Sequence, residues 1–542
     1  MITLLRCYPS LWPAVFFLLF FPVFLAVSHS RSLSAWLGRI EPRLLGLWSL
    51  AGIGIFTFCG LAYLGCPAFF DFFESCGVSI AHTIFHGGVA YPDVSSAERY
   101  CLPYGPILYL VLGLSQWLFG ASVFSSKLPC CLAAILALGL FWHILRRRGL
   151  PALAAGALVG LAATSLLALR GTVFWTKSDP LILLVVMVGL WTSFRRTRLA
   201  SVLLGACIGL AIGLKVTAAV YFLPVLVIAY FSGWSRRDFL ICGAVVIVLV
   251  LLPFVLMPRQ FPWRNYVAFF RIVGREGFGL SAASGYLRWF VMLAGLIFFS
   301  DHFIRPSHTP QIRRRWFYRA VLAGGLVLAA IPGSTVLTSP HHLMPFVPLA
   351  LLSFGNLFDR EQRVDWRYSD TPLCRAAVYA ILGGCLAVAI QTACLFVRLR
   401  TEIDAQGRAC EADLRQILAR HAQSVILMGT SRGHDSQVPV RFRHQLVFAG
   451  HPIGLDAAVV SDYQFGGLGD PDLPRLLAEI RQRDPRRILW LLPHGGEPFT
   501  NPNTYDSHLP IYPVQFRTAF SDRFELREAT PFFDIYFPTT EP

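Results

Sequence analysis

Charge is what this sequence has least of. Asp, Glu, Lys and Arg together make up 14% of its 542 residues, against about 25% in soluble domains, and that shortage excludes a soluble enzyme of this length. Lysine is nearly missing, occurring only at Lys127, Lys177 and Lys215, so the formal net charge of +16 is carried by arginine. The arginines stand in short runs between apolar stretches, which is the pattern of membrane orientation and not of a nucleic-acid surface. No nucleic-acid partner is expected. Internal repeats and low-complexity tracts are not evident. A disulfide scaffold is lacking too: most of the thirteen cysteines, among them Cys59, Cys207, Cys242, Cys385 and Cys394, lie inside apolar segments as small hydrophobes. Cys66, Cys76 and Cys101 flank or sit in one polar loop, and there Cys76 could bridge Cys101 if the loop faces an oxidising compartment.

What the sequence has in abundance is apolar length, with 55% hydrophobic residues. A span needs roughly 20 apolar residues, and about eleven are expected, near 46–65, 128–145, 150–169, 179–194, 199–215, 217–232, 239–257, 285–302, 318–338, 341–358 and 374–397. Segment 11–27 would be a twelfth, retained because it lacks a small-residue cleavage site. Every second loop is basic: Arg31, Arg39 and Arg43, then Arg146 to Arg148, then Arg195, Arg196 and Arg198, then Arg236 and Arg237, and Arg313 to Arg315. The positive-inside rule puts those loops in the cytoplasm and 66–127, 170–178, 258–284 and everything after about 400 outside. Counting 104–120 as a span would break that alternation, so it is expected to lie along the outer surface.

After residue 400 charges, prolines and glycines spread evenly. Runs 424–429, 445–449 and 487–492 are expected as buried strands, and 403–422 and 472–483 as amphipathic helices. The fold class is therefore a polytopic α-helical membrane protein: residues 1–399 form the transmembrane part and 400–542 a soluble α/β domain.

The first outer loop, 66–127, holds the densest carboxylate group near the membrane: Asp71, Glu74, Asp93 and Glu98. A carboxylate at the bilayer edge can act as general base, because partial desolvation raises its pKa; simple solvation is the plainer reading. The second outer loop (RGTVFWTKSD) carries Arg170, Lys177 and Asp179, and Asp179 ahead of Pro180 may do no more than cap a helix. Lys215 interrupts an apolar run (GLAIGLKVTAAVYFLP), as a functional cation or by snorkelling to the interface. With an anionic phosphate ligand, Lys215 and Arg170 would be the counter-charges. His341 and His342 (TSPHHLMPFVP) could contact phosphate or metal, but adjacent side chains on a helix diverge by about 100°. No metal is assigned, and no cofactor beyond a possible divalent cation. The stretch 429–433 (GTSRG) lacks the Lys and Ser/Thr of a phosphate loop and reads as a strand-to-loop turn.

The order of these features, FDFFESCGVSIAHTIFHGGVAYPD, CLPYGPILYL, TKSDPLILL, GLAIGLKVTAAVYFLP and HHLMPFVPLALL, resembles the GT-C class of lipid-phosphosugar-dependent glycosyltransferases. The likeness covers about residues 46–360 and is nearest to bacterial relatives of protein mannosyltransferases and of the lipid A aminoarabinose transferase. It implies transfer of a sugar from a polyprenyl-phosphate donor to a lipid, glycan or protein acceptor at the periplasmic face. In that class the helix after the acidic loop lies on the membrane surface, as expected here for 104–120. The resemblance puts the first-loop acid on Asp71, with Glu74 as its neighbour and Glu98 as a competitor ahead of the Pro103–Tyr104 pair, and the second-loop aspartate on Asp179. Arg170, Lys177 or Lys215 would hold the donor phosphate. Two departures stand out: the adjacent Asp-Glu pair of the mannosyltransferases is spread as DFFE, and the Lys-Pro-Pro of the aminoarabinose transferases is Leu102, Pro103, Tyr104.

A transporter or flippase is the first alternative, but such proteins place ionisable groups near the midplane and often show repeats. The second is a non-catalytic envelope assembly protein. The arginine-for-lysine bias fits a GC-rich genome, so the expected location is a bacterial inner membrane.

Overall fold

The structure is a computed structural model of the chain. It describes residues 21–23, 25, 26, 30–169, 172–274, scattered positions between 283 and 293, and 309–333, 340–352, 372–432, 440–467, 469–503, 508 and 510–539. Most of the expected spans 11–27 and 285–302, and Arg170, lie outside the described residues.

In chain order the helices are α1 (Arg31–Leu64), α2 (Phe72–Phe85), α3 (Pro106–Phe119), α4 (Val123–Arg147), α5 (Ala152–Ala168), α6 (Ser178–Ser193), α7 (Arg198–Leu214), α8 (Leu223–Phe231), α9 (Arg236–Leu256), α10 (Trp263–Val273), α11 (Thr309–Gly333), α12 (Phe346–Leu352), α13 (Pro372–Arg420), α14 (Arg443–Phe448), α15 (Ala457–Phe465), α16 (Leu473–Arg483) and α17 (Val514–Ser521). The strands are β1 (Ser424–Met428), β2 (Ser431–Arg432), β3 (Arg487–Pro493), β4 (Glu497–Pro498), β5 (Phe524–Ala529) and β6 (Phe533–Pro538). The chain divides into two compact units. One comprises Met1–Leu64, Cys130–Val250 and Phe278–Arg398; the other comprises Gly65–Pro129, Leu251–Gly277 and Leu399–Pro542.

The first unit is a helix bundle whose apolar side chains also point outward, with Leu240 at 74% exposure and Ile247 at 61%. Such a surface is stable only where lipid is the solvent. Among the described residues, four helices are long and apolar enough to cross a membrane: Pro42–Leu64, Val123–Arg147, Arg236–Leu256 and Ala380–Arg398. The protein is thus a multi-pass membrane protein. Several other expected spans form shorter apolar helices: α5, α6 and α7 have 17, 16 and 17 residues, or about 25 Å, about one turn short of the hydrocarbon thickness. The expected span 217–232 is broken. Lys215 is extended, a 3₁₀ stretch runs over Val216–Phe222, and α8 begins with Pro224 in its first turn. Irregular backbone at that depth is tolerated where it is buried or lines a cavity.

Small residues let the helices approach. In α5 the pair Gly156 and Gly160 faces α1, where a methyl group on Gly160 would lie 2.9 Å from the Trp48 ring and 3.0 Å from the Ser49 Cα. This spacing of small residues is a close-packing face for membrane helices.

The second unit contains a four-stranded sheet in the order β1-β3-β6-β5, with β1 and β3 parallel and β6 antiparallel to both β3 and β5. Its core gathers Val425, Leu427, Ile488, Trp490, Leu492 and Phe499 with Leu476 and Ile480 of α16. The Asp472 side chain caps α16 by accepting from Arg475 N at 3.0 Å, as the expected helix 472–483 requires. The segment 403–422 is helical as the last part of α13. The run 445–449 is not a strand: it lies in α14, with Leu446 and Val447 buried, and ends at Gly450 with φ +89°. A short apolar run carries no period of its own, and here burial of one helical face decided its form. Segment 65–129 is stitched into this unit: Arg99 N donates to Gly454 O at 3.0 Å, and Asp456 N to Arg99 O at 2.7 Å. Helix α3, with 14 residues, is too short to cross a bilayer. It buries Leu108, Leu112 and Gln116 while Leu114, Trp117 and Leu118 remain exposed, an arrangement suited to lying at an interface.

The Cys76–Cys101 bridge does not form. Both are buried free thiols: Cys76 lies on α2 beside the Arg443–Asp456 ion pair, and Cys101 Sγ donates to the Leu102 carbonyl at 3.9 Å. Each is accommodated as a small apolar group, which removes the need for a bridge.

Candidate active site

In the first unit, three separate segments bring titratable side chains to one place. Asp179 stands in the first turn of α6, Lys215 ends α7 at the helix break, and His341 and His342 lie on a 3₁₀ turn, Pro340–Leu343. Lys215 Nζ is 3.8 Å from Asp179 Oδ1, His341 Nε2 is 3.7 Å from Oδ2, and His342 Nδ1 is 3.9 Å from Oδ1. Lys215 Nζ also sits 2.7 Å from His342 Nδ1. Tyr286 stacks on His342 with ring centroids 6.3 Å apart, and the Tyr221 hydroxyl is an electrostatic neighbour of Asp179.

This geometry decides three questions that the residue types left open. Asp179 does not cap its helix: the cap position is Lys177, and neither oxygen of the 3%-exposed Asp179 side chain has a hydrogen-bond partner among the described residues. Lys215 does not snorkel, being held inside the cluster at 12% exposure. The two histidine rings lie close together, their centroids 4.3 Å apart, although they are neighbours on a 3₁₀ turn, where adjacent side chains leave the backbone about 120° apart. Nearby, the Trp175 Nε1 and Ser178 Oγ are buried with no hydrogen-bond partner among the described residues. Buried polar groups are normally paired, so an orphaned carboxylate, hydroxyl and indole at one helix mouth make a place prepared for a polar ligand. Lys177 is buried beside them, its Nζ 4.8 Å from the Trp175 ring centroid.

Asp179, His341 and His342 could also hold a cation, since one donor atom from each lies within 4.8 Å of the others. Three protein ligands are enough for a catalytic metal site. The Lys215 ammonium, however, already supplies positive charge at that position.

The second unit holds the first-loop acids. Asp71 is the cap of α2, its Oδ1 accepting from Phe73 N at 3.2 Å, while Glu74 reaches back and accepts from Phe70 N and Asp71 N, both at 3.0 Å. This capping box leaves Glu74 fully buried and Asp71 partly exposed. The chain ahead of Asp71 is anchored by Lys127, whose buried Nζ donates to the carbonyls of Cys66 at 3.0 Å and Ala68 at 2.7 Å. Arg441 is an electrostatic neighbour of both Asp71 and Glu74; burial lowers its pKa and the two carboxylates counter that. Neither Lys127 nor Arg441 was singled out from the sequence. The rarity of lysine could have flagged Lys127, but nothing local marks Arg441, which is some 370 residues from Asp71.

Glu98 is placed differently. It pairs with Arg483 at 3.0 Å and lines a cavity of about 510 Å³ with His82, His86, Tyr100, His451 and Arg483. Burial, assisted by His86, pulls the His82 pKa down to about 4, and burial also lowers that of His451 to about 4. Tyr104 is buried, and its carbonyl accepts the Tyr91 hydroxyl at 2.8 Å.

Comparison with known proteins bears on the fold. Residues 102–331, somewhat under half of the chain, match the model of Glycosyltransferase family 87. No curated protein matches the chain. Among solved structures, ArnT from Cupriavidus metallidurans bound to undecaprenyl phosphate is similar with a TM-score of 0.54 and 15% identity, over 91% of this chain and 97% of that one. The same enzyme in its apo state gives a TM-score of 0.53 and 15% identity, over 93% and 98%. The helix bundle with its sheet-bearing second unit therefore has the ArnT fold, and residues 102–331 are similar to a family of glycosyltransferases.

Proposed function

We propose that the protein transfers a sugar from a polyprenyl-phosphate donor to a lipid, glycan or protein acceptor of the envelope, at the periplasmic face of a bacterial inner membrane. The observation that carries the reading is the orphaned Asp179 carboxylate ringed by Lys215, His341 and His342 at the helix break. The solved relative bound to undecaprenyl phosphate supports the donor class. Residues 1–399 would carry the transferase and 400–542 a periplasmic domain.

In such a transfer the acceptor oxygen or nitrogen attacks the anomeric carbon, the bond to the donor phosphate breaks, and polyprenyl phosphate leaves with its electron pair. Two needs follow: a base for the acceptor proton and positive charge for the leaving phosphate. Asp71 takes the first role, as the more accessible member of its capping box, with Glu74 and Lys127 as positioning residues. Lys215 and Lys177, with His341 and His342 as hydrogen-bond partners, take the second, because charge-assisted bonds to a developing phosphate anion strengthen in the transition state. Asp179 holds Lys215 and the imidazoles in register. The reaction as drawn uses no metal.

The test is turnover of a radiolabelled polyprenyl-phosphate sugar by purified protein. Asp71→Asn should reduce turnover by about 10²–10⁴-fold, the usual contribution of a general base, and Lys215→Met should raise the donor KM, both with normal membrane insertion. EDTA should leave turnover unchanged. Full activity in both Asp71→Asn and Asp179→Asn would overturn the assignment, and loss of activity on EDTA treatment would give Asp179, His341 and His342 to a cation.

A further inference from the structure

At the opposite end of α6 from Asp179, about 24 Å away along a 16-residue helix, the first unit has a second polar cavity. Its volume is about 190 Å³, and it is lined by Arg148, Arg196 and Arg314 with Phe194, Ile228, Phe231 and Ser232. Three guanidinium groups from three different loops or helix ends converge there, and among the described residues no carboxylate lines the cavity. Each is held in place: Arg148 lies over the Phe194 ring at 4.4 Å and Arg314 over the Phe231 ring at 5.7 Å, while Arg196 Nε donates to the Ser232 carbonyl.

Membrane orientation alone requires arginines on one side, not arginines drawn together. Bringing three like charges to one cavity costs electrostatic energy that an anion would offset, and guanidinium groups stacked on aromatic rings are preorganised for oxyanions. The surface beside the cavity is apolar. Phe231 packs edge-on against Phe317 at 5.7 Å, and Tyr230, Trp316 and Phe317 are exposed by 60%, 53% and 50%. A phosphate-binding head with an apolar flank matches a phospholipid and not a soluble anion.

We propose that this cavity binds the phosphate of an anionic membrane phospholipid, at the bundle end remote from the Asp179 cluster. The site does not depend on the transferase reading. Anionic lipid recognised by basic pockets between membrane helices is a general mode of lipid binding.

The experiment uses the full-length protein in nanodiscs of phosphatidylglycerol or phosphatidylcholine, with inorganic phosphate as a third arm. Phosphatidylglycerol should raise the melting temperature relative to phosphatidylcholine, and inorganic phosphate added to phosphatidylcholine discs should not. Phospholipid retained through purification, read by native mass spectrometry, should fall about tenfold in R148Q/R196Q/R314Q. Arg314→Gln alone, at an exposed position, guards against a folding defect in the triple variant and should lower retention in the same direction. Stabilisation by inorganic phosphate alone would give the site to a soluble anion and overturn the lipid. Equal melting in both lipids, or unchanged retention in the variants, would overturn the site.

Discussion

At the residue scale the informative feature is which polar atoms are spent and which are left over. Glu74 spends its carboxylate on two backbone amides at 3.0 Å, and Asp71 accepts one at 3.2 Å, so Asp71 is the partly exposed carboxylate of the capping box, while Asp93 is exposed and bonded by Ser95 and Glu98 is buried against Arg483. Asp179 spends nothing on its helix. Histidines tell a parallel story. His444, which meets Ser75 Oγ at 3.1 Å, is buried and its pKa is pulled down to about 3, while those of His82 and His451 are lowered to about 4. Unfolded histidine titrates near 6.5. Each of these groups is therefore neutral when folded, and the stability this represents is complete above about pH 6.5 and is lost as pH falls towards 4. The melting temperature of the second unit, followed by near-ultraviolet circular dichroism, should drop between pH 7 and pH 5, and His444→Gln should flatten that slope. A slope unchanged by His444→Gln would remove this residue from the account.

At the element scale the helices were legible from hydropathy, but their ends were not. The break at Lys215 turns one expected span into a 3₁₀ stretch and a short helix, and it leaves the buried lysine 2.7 Å from His342 and 3.8 Å from Asp179, partners that a buried charge requires. Close approach of helices is equally local. Gly160 lies 3.0 Å or less from atoms of Trp48 and Ser49 across α1 and α5 once a methyl group is added. Gly160→Leu should thus be destabilising by about 1–3 kcal/mol through overpacking, measured as a lowered unfolding midpoint in detergent, whereas Gly139→Leu, where a side chain would meet nothing within 4 Å, should be near neutral. The misread run 445–449 belongs at this scale too. Its composition suits either form, and the buried face of α14 selected the helix.

At the scale of the whole molecule, the arginine pattern predicts an orientation. An alkaline phosphatase fusion after Arg420 should be active and one after Arg237 inactive, with a green fluorescent protein fusion giving the reverse; the opposite result would invert the topology. Composition alone determined that this is a membrane protein, since 14% charge and 55% hydrophobic residues leave lipid as the main solvent, and the spacing of basic loops determined an alternation of sides. The order of acidic and basic loop segments was enough to suggest the enzyme class, because those features are local. Only the tertiary structure decided that Asp179, Lys215, His341 and His342 meet, that Arg441 neighbours Asp71, that Glu98 pairs with Arg483, and that Cys76 and Cys101 remain thiols. These are encounters between residues distant in the chain. Hydropathy and helical period are properties of single segments, whereas the partner of a buried charge is chosen by the packing of several segments at once, where an unpaired group costs most.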